Sequence, residues 1–151
     1  MADVVVSSTI HGFLTAGDAP TARAAIGVVD PSKTSLSGTT SNNTQTEIFV
    51  DGVASSRMTL TSNTTWMFSA MVAARSATES AGYKIEGVIK NDAGTTALVG
   101  TAVKTVFGED DSAWDVTVEA DDTNDALVFK VIGDTVDSVN WEVLVDKLEV
   151  S

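Results

Sequence analysis

The chain has 151 residues, the size of one ordinary domain with its own core, and a second full domain would not fit in this length. It contains no cysteine, so disulfides and thiolate metal sites are excluded. The formal net charge is −12, with 13 acidic and 3 basic residues after residue 100, and such a field disfavours binding to nucleic acid or to an anionic membrane surface.

Residues 1–45 are predicted to form an extended N-terminal arm with a short helix near residues 19–26. Asp18 is suited to the N-cap, Pro20 to the first turn and Gly27 to the left-handed position that ends a helix. Two turns are marginal in isolation, so we expect the arm to be ordered by docking onto a partner. The side chains assigned to that contact are Phe13, Leu14, Ala22, Ala25 and Ile26.

The stretch from residue 31 to residue 44 contains few large apolar side chains and is rich in Ser, Thr and Asn. Such a composition is too poor in apolar surface to build a core. It therefore predicts a linker or the end of the arm, with the folded domain spanning residues 46–151.

The rest of the chain alternates between apolar and polar residues over short stretches that turn residues separate. This pattern is typical of strands with one buried face. It predicts an all-β fold, an antiparallel β-sandwich of jelly-roll type with about eight strands. The predicted strands are residues 46–50, 56–61, 65–75, 82–90, 96–107, 113–119, 126–132 and 138–150. The sequence from Asn91 to Gly94 favours a hairpin turn between two of them.

Two predicted strands are apolar on both faces. Residues 66–74 form one, and residues 139–150 form the other in part, which predicts that something covers their outer sides. A neighbouring subunit and a loop of the same chain are equally good candidates. On the first interpretation the oligomer interface contains Met67, Met71, Leu144 and Leu148.

Residues that could perform catalysis or bind zinc are sparse. His11 is the only histidine and lies in the predicted arm, away from any Ser or carboxylate that could hold it as a base. One histidine without cysteine does not make a usual zinc site. No phosphate-binding glycine loop occurs, and no pair of carboxylates stands out for glycoside hydrolysis. We expect no catalytic residues, no metal and no cofactor.

Two acidic turns could supply oxygen ligands to calcium. One contains Asp121, Asp122, Asn124 and Asp125, and the other is residues 109–111. The spacing of the first does not match an EF-hand loop, because the glycine at the sixth position and the acidic residue at the twelfth are missing. We favour the alternative that these side chains form local hydrogen bonds within solvated turns.

Four aromatic residues could stack on a sugar, namely Trp66, Tyr83, Trp114 and Trp141. Each lies in an alternating stretch with apolar neighbours two positions away, which is typical of core residues. We therefore predict that they are buried.

Residues 13–28, with the sequence FLTAGDAPTARAAIGV, resemble an element of bacteriophage fibre and appendage proteins. Ile26 and Val28 replace its usual leucines. Residues 79–89, 97–100 and 113–116, together with Trp141, are similar to a β-rich terminal module of phage fibres and virion surface proteins. The resemblance implies a trimeric component of a tailed-phage virion.

About 45 residues before the β-domain are too few for the long shaft of a tail fibre. We therefore expect a capsid decoration, cement or short head-fibre protein, whose arm binds the major capsid protein or another virion protein. A tail-fibre or baseplate tip that binds a host receptor or carbohydrate is the alternative. The first residues lack the features of a secretory signal and no long apolar run follows, so we expect assembly in the host cytoplasm and location on the capsid surface.

Overall fold

A computed structural model describes residues 32–151, and this part of the chain is all-β. Every pair of neighbouring strands runs antiparallel. The strands are β1 (Lys33–Thr40), β2 (Thr46–Val50), β3 (Met58–Thr59), β4 (Thr64–Arg75), β5 (Ser80–Asp92), β6 (Thr95–Leu98), β7 (Val103–Glu109), β8 (Asp115–Asp121), β9 (Ala126–Ile132) and β10 (Val139–Val150).

The strands form one sheet that curls into a half-barrel. Its order is β3-β9-β2-β1-β10-β4-β5-β6, while β7 pairs with β5 and β8 pairs with β9. The two longest pairings join β4 to β5 and β10 to β4 over eleven or more residues each. This three-stranded region is the most regular part of the domain, and it positions the surface discussed below.

The core fills the concave side of the sheet, where the alternating apolar residues converge. Phe68 of β4 meets Phe129 of β9 edge to face, with ring centroids 6.5 Å apart. Trp114 and Trp141 pack 6.1 Å apart, and both are almost fully buried. Because β4 and β9 are not neighbours in the sheet order, the Phe68–Phe129 contact crosses the concave side, and the Trp114–Trp141 contact likewise joins the start of β8 to the non-adjacent β10.

Most predicted strands are confirmed. The structure places β2 and β9 at the predicted residues and extends the predicted strands near residues 65–75 and 82–90 by one or two residues at their ends. The hairpin at Asn91–Gly94 is also confirmed, with positive φ at Ala93 and Gly94. The Asn91 side chain accepts a hydrogen bond from the Gly94 amide at 2.8 Å, which explains the preference for asparagine at the start of this turn.

The predicted linker is wrong for residues 33–40, which form β1. This strand lies between β2 and β10, and the domain therefore begins near residue 32 instead of residue 46. Leu36 is its only large apolar residue, and it is fully buried. The neighbouring strands thus supply the apolar environment that the composition of β1 lacks, and threonine itself favours strands.

Two further strand predictions need correction. The predicted strand 96–107 is two strands, β6 and β7, which both pair with β5 and are separated by a loop in which Gly100 has φ of +78°. The predicted strand 56–61 is reduced to Met58–Thr59. With β1 added, the described residues contain ten strands instead of about eight. The predicted helix near residues 19–26 lies outside the described residues.

Candidate interaction surface

The outer face of β4 and β10 carries an exposed apolar groove. Leu144 pairs with Met71 and Leu148 pairs with Met67 in the register of these strands, so the four side chains are neighbours. They are 47–72% exposed. The groove between them has a volume of about 600 Å³. We call the groove formed by Met67, Met71, Leu144 and Leu148 the apolar groove.

The four residues point outward because they alternate along β4 and β10 with residues that face the core. On β4, Phe68, Ala70 and Val72 face the core, and on β10, Val143 and Val145 do so. A residue between two inward positions of a strand must point outward. The four predicted interface residues are thus brought together on one accessible face, and no loop within residues 32–151 covers them.

The surroundings of the apolar groove are charged. Lys84 and Glu86 of β5 form an ion pair of 2.9 Å beside Met71 and Ser69, and Asp146 and Lys33 lie at the opposite margin. An apolar centre with a polar margin is the usual arrangement of a protein interaction site.

A second exposed apolar patch lies on β7, and the sequence analysis did not identify it. All seven residues of this strand are exposed, including Val103, Val106 and Phe107. Among residues 32–151 the only strand that pairs with β7 is β5, so β7 is an edge strand, with a β-bulge near its end. In the register with β5, Val103 lies opposite Glu86 on the outer face of the sheet and Val106 lies opposite the buried Tyr83, so the exposed apolar side chains lie on both sides of this edge. We call Val103, Val106 and Phe107 the edge patch. The sequence analysis missed this edge because it predicted a single strand over residues 96–107.

Three carboxylates from different loops also come together. Oxygen atoms of Glu79, Asp111 and Asp134 all lie within 4.8 Å of one another. Partial burial raises the pKa of Glu79, and the charges of Asp111 and Asp134 raise it further. The sequence analysis considered Asp111 as part of residues 109–111, but the other two acids are distant in sequence and gave no signal.

The acidic turn after β8 is a structural element. Asp121 accepts hydrogen bonds from the Asn124 side chain at 2.6 Å and from the amides of Thr123 and Asn124. Its pKa is lowered, mainly by the hydrogen bond from the Asn124 side chain. Asp122 and Asp125 instead accept bonds from the amide and the hydroxyl of Thr96, which fix the start of β6. Local hydrogen bonding in this turn, the favoured prediction, is confirmed.

The four aromatic residues that could have bound a sugar are core residues, as predicted. Trp66, Tyr83, Trp114 and Trp141 are all at least 97% buried. The Trp66 indole donates a hydrogen bond to Glu149 at 2.7 Å, and the ammonium group of Lys147 lies 3.7 Å from the centre of the Trp66 ring. Their faces are therefore not available to a ligand.

The predicted arm contacts Phe13, Leu14, Ala22, Ala25 and Ile26 lie outside the described residues, as does His11. Within residues 32–151 there is no helix of the length and apolar character that crossing a membrane requires. No protein-family model matches this chain. A search of curated proteins also finds no match.

Proposed function

We propose that this protein is a non-enzymatic structural component of a tailed-phage virion. Its most specific form is a homotrimeric capsid decoration, cement or short head-fibre protein that binds the capsid through the N-terminal arm. The motifs of residues 13–28 and of the β-rich region support the virion assignment. The apolar groove carries the assembly part of the proposal, because a soluble monomer rarely leaves such a group of large side chains in water.

The topology is consistent with a jelly-roll-like sandwich, the finer fold expected for this function. The first two strands pair with the last two, β1 with β10 and β2 with β9, so that the ends of the domain are nested together. This nesting is a feature of rolled β-sheets in which the chain folds back on itself. It supports the proposed fold independently of the number of strands.

The alternative role, a tail-fibre or baseplate tip that binds a receptor or carbohydrate, has less support. Recognition of sugars usually relies on exposed aromatic rings. The tryptophans and the tyrosine are all buried, and among residues 32–151 the exposed aromatic ring is Phe107 of the edge patch. The experiment described next therefore includes a result that would favour this alternative role.

The test is to add the purified full chain to particles that lack it and to image them by cryo-electron microscopy. We expect density at threefold or quasi-threefold positions of the capsid. Ile26→Asp should reduce occupancy strongly by placing an unpaired charge in the arm contact, whereas the matched control Ile26→Leu should bind like the wild type.

Density confined to the distal end of the tail would favour the alternative role. Absence of binding to any part of the particle would contradict a virion function. If Ile26→Asp binds as well as Ile26→Leu, attachment does not use the proposed arm contact.

A further inference from the structure

The domain exposes two separate groups of large apolar side chains on its sheet. The first is the apolar groove on β4 and β10, and the second is the edge patch on β7. The Lys84–Glu86 ion pair on β5 lies between them, so they do not form one continuous surface.

The edge strand β7 is only partly protected against pairing with other chains. Natural edge strands use charged side chains, proline, very short length or β-bulges for this purpose, and β7 has a bulge near its end. β7 has seven residues and no proline, and its two charged residues already contact groups of the same domain. Lys104 forms an ion pair with Asp115, and Glu109 accepts a hydrogen bond from the Tyr83 hydroxyl at 3.0 Å. The apolar residues of β7 are therefore the ones left for an external contact.

Symmetry connects the two groups if the proposed homotrimer is correct. In a closed ring of three identical subunits, each interface joins one surface of a subunit to a different surface of the next. We propose that the edge patch of one copy docks into the apolar groove of the next copy around the ring. The inference rests on the proposed function for the number of subunits, and it assigns the two surfaces that meet.

The size and chemistry of the groove fit this occupant. Its four side chains are 47–72% exposed, and an interface that covers them would extend over the polar margin of the groove, because a stable interface buries about 800 Å² on each partner. Methionines adapt their shape and make favourable contacts with aromatic rings, so Met67 and Met71 are suited to receive Phe107 of the next copy.

The test compares the full chain with single substitutions by native mass spectrometry and by light scattering after gel filtration. Met71→Lys places a charge in the apolar groove, and Phe107→Lys replaces the aromatic side chain of the edge patch by a charged one. Val136→Lys is the matched control, because Val136 is 83% exposed and belongs to neither surface. Thermal unfolding of each variant checks that the domain remains folded.

We expect the wild type and Val136→Lys to be trimers and both interface variants to be monomers. Mixed in equal amounts, the two variants should form a one-to-one heterodimer, because the intact edge patch of one fits the intact groove of the other. An interface that pairs identical surfaces could not be restored by this mixing.

Several results would overturn the inference. If Phe107→Lys stays trimeric while Met71→Lys dissociates, the groove has another partner and only the assignment of the edge patch is lost. If the mixed variants stay monomeric, the two surfaces do not meet. A wild-type monomer would overturn both the trimer and this inference. A trimer that uses both surfaces but does not bind particles would overturn only the virion function.

Discussion

Two buried tryptophans of the core differ in whether the indole nitrogen has a hydrogen-bond partner. The indole of Trp141 donates a hydrogen bond to the Thr40 hydroxyl at 3.0 Å. The indole nitrogen of Trp114, its neighbour, is buried with no acceptor among residues 32–151. A buried polar group without a partner costs free energy, whereas a satisfied one stabilises the fold. The two tryptophans therefore make a natural matched pair.

We predict that Trp141→Phe destabilises the domain more than Trp114→Phe does. Both changes remove similar volume, but the first also breaks a hydrogen bond and leaves the Thr40 hydroxyl unpaired. The difference in the free energy of unfolding should be about 1–3 kcal/mol. Urea denaturation followed by circular dichroism measures it, and equal losses in the two variants would contradict the prediction.

The carboxylate cluster makes the stability of the folded domain depend on the protonation of one residue, Glu79. The pKa of Glu79 is raised by burial and then by its acidic neighbours, so the folded protein binds this proton more tightly than the unfolded chain does. For such a group, stability is highest at low pH and falls as the pH rises through the folded-state pKa. At neutral pH the ionised Glu79 is therefore destabilising.

Glu79→Gln should accordingly raise the Tm at pH 7 and have little effect near pH 3, where Glu79 is protonated. Glu142→Gln removes the same charge from the exposed face of β10 and serves as the control. Differential scanning calorimetry at the two pH values gives the comparison. A gain for Glu142→Gln equal to that for Glu79→Gln would show that net charge alone is responsible.

At the scale of elements, β1 connects the two parts of the sheet. It pairs with β10 along all eight of its residues and with β2 on its other side. Without β1, both neighbours would lose a partner strand and the site of Leu36 would be empty. Gly38 shows how closely these strands approach, because a Cβ atom there would lie 2.6 Å from a methyl carbon of Ile48.

We predict that removal of residues 1–31 leaves a folded domain and that removal of residues 1–45 does not. The shorter deletion keeps every described strand, whereas the longer one removes β1 and its backbone hydrogen bonds. Thermal unfolding should show a cooperative transition for the first variant only. A cooperative transition in both variants would mean that β1 is dispensable and that the boundary predicted from the sequence, near residue 46, describes the minimal domain.

At the scale of the whole molecule, the charge and the apolar surfaces have opposite effects on association. A net charge of −12 over 151 residues opposes contact between copies, most strongly at low ionic strength. Exposed Met, Leu, Val and Phe side chains favour association because their burial removes apolar area from water. The proposed assembly through the apolar groove and the edge patch would bury apolar side chains of this kind.

Alternation by itself determined the all-β class, the positions of most strands, the buried aromatic residues and the four outward-facing residues of the apolar groove. These features are local, because a period of two assigns each side chain to a face without knowledge of its neighbours. Three features depended on the tertiary structure: β1, the open edge at β7 and the meeting of Glu79, Asp111 and Asp134. Each is created by contacts between residues far apart in the chain. Strand order and loop positions decide such contacts, and a single sequence does not encode them in any local pattern.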